Sequence, residues 1–171
     1  MTYKTHLSTA LVITLPIMTT TNTLEVASIA ALSLGCFFLD IDEPNSWIGR
    51  RTRGVSDLIN RIFGHREITH SIIGLTIIAG CAMLLVHFTP LPAMASIYFI
   101  AGCTLHLVTD SFSKSGVKWL WPKKKRFQSG FNKIYYITGG VVEKIVFTAT
   151  LIFLAWYFYN FVEMDVLVWV R

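Results

Sequence analysis

Charged side chains are scarce in this chain, at 15% of 171 residues, against about 25% in an ordinary soluble domain. With 53% hydrophobic residues and a mean hydropathy of +0.55, that scarcity points to a bilayer. Cysteine is sparse too. Cys36, Cys81 and Cys103 all lie inside apolar runs, with a spacing that fits neither a disulfide framework nor a zinc clasp, so they are expected as small core residues. There is no HExxH, serine–lysine pair or glycine-rich nucleotide loop, so the common peptidase and nucleotide-binding signatures are missing. The basic run "KKKR" at 123–126 has no stacking aromatics beside it; it suits an anchor to anionic lipid, and no nucleic-acid partner is expected. No internal repeat or low-complexity tract appears. The opening "MTYKTHLSTALVITLP" lacks a small-x-small cleavage site and is expected to be retained.

What the chain does have is five apolar segments, near residues 6–21, 24–39, 71–88, 91–109 and 141–161. At about 1.5 Å per residue, ~16–20 helical residues reach across a hydrocarbon core. The expectation is an all-α integral membrane bundle of five spans, with four as the alternative, forming one membrane domain over 1–171. Pro16 and the threonines after it weaken the first span. The joins near 21–24 and 88–92 suit tight hairpins, whereas 40–70 and 111–140 are long and polar. The long loops hold Arg50, Arg51, Arg53, Arg61 and Arg66, and then Lys114, Lys118, Lys123, Lys124, Lys125, Arg126 and Lys133. The positive-inside rule puts both loops and the N-terminus in the cytoplasm, with Glu163 and Asp165 on the far side. Trp119 and Trp121 are expected as interfacial anchors.

Sorted by depth, the histidines and aspartates gather. His6 opens the first span, Asp40 and Asp42 in "FLDIDEP" close the second, His65 and His70 precede the third, and His106 and Asp110 end the fourth. All seven fall at the cytoplasmic boundary, and His87 alone sits at the other. His106 and Asp110, at i and i+4, share a helix face. Asp40 and Asp42 would point to one side in extended chain, which Pro44 favours nearby. Imidazole with carboxylate suits a divalent ion, zinc first and manganese next, as one ion or two. Arg66 suits phosphate oxygens, and Ser71 and Thr69 can cap the third helix, whose N-terminus favours an anion. Simpler readings stand beside these: a solvated "DID", a structural His106–Asp110 pair, and an ordinary inside charge at Arg66.

The leading expectation is metal-assisted hydrolysis of a phosphoester in a lipid-like substrate. Asp42, His70 and Arg66 are the candidates for the chemistry, and Arg66 and Ser71 for holding substrate. The alternative is a non-catalytic metal-binding structural or transport protein, although the bilayer centre has almost none of the polar residues that a transport path needs.

His6, "DID" followed by "P…S..G.R", "GHR..THS", "H…D" and "G…LWP" together resemble the YdjM-like family of bacterial inner-membrane proteins. The resemblance runs from His6 to Pro122. It implies helical membrane topology and a metal-dependent hydrolase whose metal residues map onto His6, Asp40, Asp42, His65, His70, His106 and Asp110. Where the family often has "PDIDHP", Leu39 and Glu43 replace the flanking proline and histidine, so Glu43 stands in for that histidine or the site is smaller.

Overall fold

Every apolar segment is helical in the structure, a computed structural model that describes residues 1–131 and 133–169, with backbone alone for 162–169. In chain order the helices are α1 (Tyr3–Thr20), α2 (Val26–Phe38), α3 (Arg53–Phe63), α4 (Ile72–His87), α5 (Ala93–Ser111) and α6 (Val141–Trp169). Among the described residues there is no strand. Two isolated bridges, Ser113 with Tyr136 and Val117 with Phe127, pin the 111–140 segment. The side chains of Glu163 and Asp165 lie outside the described residues.

By length and composition, α5 and the Val141–Phe161 part of α6 can cross a membrane, and α4 is a shorter apolar helix. The other apolar helices fall short for local reasons. Threonines dilute α1, and α2 has 13 residues. Pro16 does not break α1. The hydroxyls of Thr14, Thr20 and Thr21 donate to the carbonyls of Ala10, Pro16 and Ile17 at 2.7–2.9 Å, so they need no outside partner, as apolar surroundings require. The outward surface is apolar: on α6, Ile145, Ile152 and Trp156 are 63%, 65% and 59% exposed. A soluble monomer rarely shows such a contiguous patch; lipid is its natural cover.

The inward faces form two clusters. Leu15, Met18, Leu32, Cys36, Tyr98 and Leu154 join α1, α2, α5 and α6. Leu39, Cys103, Leu107 and Val117 form the second, and Trp119 packs against it. Trp119 is therefore partly buried packing, where the sequence suggested an interfacial anchor. Cys36 and Cys103 are core residues as expected, while Cys81 is exposed. Helices α2 and α5 cross most closely at two glycines. A Cβ on Gly35 would lie 2.1 Å from the Phe99 carbonyl oxygen, and one on Gly102 would lie 2.3 Å from that of Leu32. Only residues without side chains allow this approach.

The 40–70 segment is more ordered than a polar loop. It contains α3, and before it a 3-10 turn over Leu39–Asp42. The expectation of extended chain at Asp40 and Asp42 is thus corrected. Buried Leu39 keeps helical dihedrals, and the chain becomes extended only at Glu43, with φ −115 and ψ 103. The restriction imposed by Pro44 acts on the residue immediately before it, one step too late to straighten "DID".

Candidate metal centre

Four helix ends meet at one end of the bundle: the start of α1, the turn after α2, the segment entering α4, and the end of α5. They bring His6, Asp40, His70, His106 and Asp110 together. His6, His70, His106 and Asp110 are buried, while the Asp40 side chain is 19% exposed.

Each of the three buried imidazoles is tied at Nδ1. His106 Nδ1–H donates to the Cys36 carbonyl at 2.7 Å, which can only accept. His70 Nδ1–H donates to Asp42 Oδ2 at 3.1 Å. His6 Nδ1 lies 2.8 Å from the Thr109 hydroxyl, whose own hydrogen is directed at the Leu105 or His106 carbonyl, so His6 is again the donor. With Nδ1 protonated, a neutral imidazole presents a lone pair at Nε2. The Nε2 atoms of His6, His70 and His106, with Asp110 Oδ2, are buried without a hydrogen-bond partner. The three Nε2 lone pairs, buried in one place, cost free energy unless a cation satisfies them.

Their separations fit a cation. Two donors about 2.0–2.2 Å from a tetrahedral ion stand roughly 3.3–3.6 Å apart. His6 Nε2 is 3.3 Å from Asp110 Oδ1, and His106 Nε2 is 3.5 Å from Asp40 Oδ1. His70 and His106 Nε2 each lie 3.7 Å from Asp110 Oδ2. Two groups emerge, His6–His106–Asp110 and Asp40–His70–His106, with the ligand atoms in each all within 4.8 Å of one another. His106 belongs to both.

The remaining residues expected at the site stand around this centre. Asp42 sits one layer back: its carboxylate accepts from His65 Nδ1 at 2.8 Å, from the Arg66 backbone N–H at 3.0 Å and from the Thr69 hydroxyl, besides His70. Burial pushes the Asp42 carboxyl up, but the hydrogen bonds and charges of His65 and His70 outweigh it and leave it well below the usual carboxylate range. For His65, burial acts downward, and the Asp42 hydrogen bond and charge reverse it, so the imidazole is raised above its ordinary value. His65 therefore belongs to the Asp42 network at the rim. Ser71 caps α4, accepting from Gly74 N–H at 3.1 Å and donating to the Ile68 carbonyl at 2.7 Å. That occupies the hydroxyl expected to touch substrate. Glu43 Oε2 is 3.9 Å from His65 Nδ1 and belongs to neither group, so both groups form without the histidine that "PDIDHP" carries there. His87 is exposed at the other end of α4, as expected.

Arg66 adopts φ +57 and reaches back over the centre. Its Nη2 lies 2.6 Å from Asp110 Oδ2 as an ion pair, without the alignment of a hydrogen bond. Nη1 donates to the hydroxyls of Ser113 and Ser115 at 3.3 and 2.8 Å.

Two contributors were not singled out in the sequence. The Tyr136 hydroxyl donates to Asp110 Oδ1 at 2.9 Å. Burial, then the Asp110 charge, push its ionisation far above the ordinary range, which keeps it a donor. Nothing in "NKIYYITGG" marks it out. Glu143 is buried and accepts from the Thr2 and Gly139 N–H groups and the Thr5 hydroxyl at 2.5–2.9 Å, fastening the start of α1 to α6. An acid in the first turn of a long apolar helix was a legible clue to such a role.

An orienting carboxylate behind a ligating histidine fixes its tautomer and raises its basicity. The Asp42→Asn variant is expected to bind zinc roughly 10–100-fold more weakly, measured by competition with a chromophoric chelator.

Apolar outer faces around a buried His/Asp cluster at one end define a class: a helical membrane protein with a cluster able to hold a metal ion. The chain belongs to the YdjM inner membrane protein family, whose model matches residues 1–166. The match extends past Pro122, where the sequence resemblance stopped, and includes most of α6. The chain is 29% identical over 139 residues to the inner membrane protein YdjM of Escherichia coli (strain K12), covering 80% of this chain and 69% of that protein. The Shigella flexneri protein of the same name gives the same figures. An uncharacterized protein, YvsG, of Bacillus subtilis (strain 168) is 29% identical over 131 residues, 76% of this chain and 77% of its own. No solved structure gives a significant match. The family supports placement in the inner membrane.

Proposed function

We propose that this chain is a multi-pass membrane metal-dependent hydrolase that cleaves a phosphoester in a lipid-like substrate at the cytoplasmic face. The observation that carries the proposal is the set of three buried imidazole Nε2 atoms without a hydrogen-bond partner, gathered with the Asp40 and Asp110 carboxylates at cation-sharing distances. His6, His70, His106, Asp110 and Asp40 are the residues to hold one or two divalent ions, zinc by preference and manganese next. Such an ion polarises a phosphoryl oxygen and acidifies water at neutral pH. The arginines and lysines of the two long loops support a cytoplasmic placement of this end and of the N-terminus.

The chain's own groups fit a substrate of this kind. A cavity of about 480 Å³ opens beside Asp40, with Lys4, Arg50, Arg66, Tyr3 and Trp47 in its walls. The cations suit an anionic phosphate. Tyr3 and Trp47, with ring centroids 5.9 Å apart, offer an apolar side for the attached chain. Arg66, held by the two serines at the edge of the centre, is placed to stabilise charge growing on phosphate oxygens. Asp42 acts through His70 as a positioning residue.

The test is phosphate or headgroup release from prenyl phosphates and phospholipids by detergent-purified protein, with and without zinc or manganese. Metal-dependent turnover is expected. It should vanish in His70→Ala and fall roughly 10²-fold or more in Arg66→Ala, the scale of losing one charge-stabilising group. Fully metallated, folded protein that turns over no phosphoester contradicts the hydrolase reading and leaves a structural metal.

A further inference from the structure

Helix α3 takes no part in the metal centre, and its sequence "RGVSDLINRIF" divides it into three sides. Ser56 is buried and Asn60 donates through Nδ2 to the Asp42 carbonyl at 2.6 Å, so this side faces the protein. Arg53, Asp57 and Arg61, four residues apart, form a charged side. Val55, Leu58 and Ile62, at i, i+3 and i+7, form an apolar side opposite the charges, and they are 54%, 57% and 60% exposed. Nothing among the described residues covers them.

The surrounding charge identifies the cover. Between residues 46 and 64 there are four arginines, Arg50, Arg51, Arg53 and Arg61, and one acid, Asp57. The exposed run Lys123–Arg126 belongs to the other basic segment of the same end, which is joined to the α4 entry by the Lys118–Glu67 ion pair and by Ile72 N–H donating to the Trp119 carbonyl at 2.9 Å. A short helix with an apolar stripe, a cationic face and low net hydrophobicity lies in the plane of a membrane interface, where its charges meet anionic headgroups.

We propose that α3 is an interfacial helix. It lies in the boundary between headgroups and acyl chains on the side of the metal centre, with Val55, Leu58 and Ile62 in the acyl layer and the arginines on anionic phosphates. The inference is independent of the hydrolase reading, since it needs the membrane but no catalysis. It has a consequence for the centre. The chain leaves α3 through Gly64 directly into His65 and Arg66, and Asn60 holds the Asp42 carbonyl. Lipid contact by α3 therefore fixes the depth of the wall that carries Asp42, His65 and Arg66.

Site-directed spin labelling of the full chain in nanodiscs tests this. Cys81→Ser removes the exposed thiol, leaving the buried Cys36 and Cys103, and Leu58→Cys, Ile62→Cys, Asp57→Cys and Arg61→Cys are labelled singly. Each variant is kept only if its unfolding midpoint matches that of the parent. In phosphatidylglycerol discs, labels at 58 and 62 should meet oxygen and exclude a water-soluble nickel chelate, about 5–10 Å below the headgroup boundary. Labels at 57 and 61 should show the reverse. Nickel access at all four positions overturns the proposal and puts α3 in water. Exclusion of both probes at 58 and 62 also overturns it, because a second copy of the chain then covers the face. In phosphatidylcholine discs the two apolar-side labels should move outward; an unchanged depth overturns the assignment to anionic lipid.

Discussion

His106→Ala is expected to empty the metal centre while the bundle stays folded. His106 is the only residue in both donor groups. Without its Nε2, His6 and Asp110 remain on one side and Asp40 and His70 on the other, each a pair where a tetrahedral ion wants three or four protein donors. Affinity should therefore fall by more than the roughly 10–100-fold that follows loss of an outer partner. Metal retained after gel filtration, measured by mass spectrometry, should drop to about a tenth of wild type or less on that scale. The substitution also leaves the Cys36 carbonyl without the imidazole N–H at 2.7 Å, which costs about 1–3 kcal/mol. Thermal unfolding of the chelated proteins separates that structural loss from the loss of metal. A folded variant that keeps a wild-type complement of metal would remove His106 from the centre.

Gly35→Ala is expected to have the largest effect on stability. The new methyl carbon falls 2.1 Å from the Phe99 carbonyl oxygen and 3.1 Å from the Cys103 nitrogen. These are backbone atoms of a helix and cannot turn aside as a side chain could. Helices α2 and α5 must move apart, with a cost of roughly 3 kcal/mol or more, at the upper end of overpacking. The damage does not stay in the core. Cys36 is the next residue, and its carbonyl orients His106, one turn beyond Gly102 on α5. Separating the helices should therefore lower the unfolding midpoint and weaken metal binding together. Gly80→Ala is the control: its Cβ meets nothing within 4 Å among the described residues, and its midpoint should stay near that of wild type. Equal midpoints for the two variants would mean that the close crossing is absent.

Much of this arrangement was legible because the bilayer imposes it. Ionisable residues at span ends are conspicuous against apolar runs, so the depth ordering of His6, Asp40, His70, His106 and Asp110 could be read without coordinates, as could the i, i+4 geometry of His106 and Asp110. Other features depend on three dimensions. The place of Asp42 behind His70 follows from a 3-10 turn that sends it away from Asp40, and no spacing rule distinguishes that from extended chain. The Cys36 carbonyl and the Thr109 hydroxyl fix imidazole tautomers through atoms that sequence reading does not weigh. Helix α3 did have a signal, apolar residues at 55, 58, 59 and 62, but the density of arginine made 40–70 resemble a plain polar loop. Ser71 was seen both as a helix cap and as a substrate contact; its hydroxyl is occupied as a cap.

Zinc-edge X-ray absorption on chelated protein refilled with one equivalent of zinc tests the central claim most directly. A centre of buried imidazoles and carboxylates predicts a first shell of nitrogen and oxygen alone at about 2.0–2.2 Å, with the outer-shell scattering of two or more imidazole rings. A sulfur distance near 2.3 Å, or an oxygen shell without imidazole scattering, would contradict it.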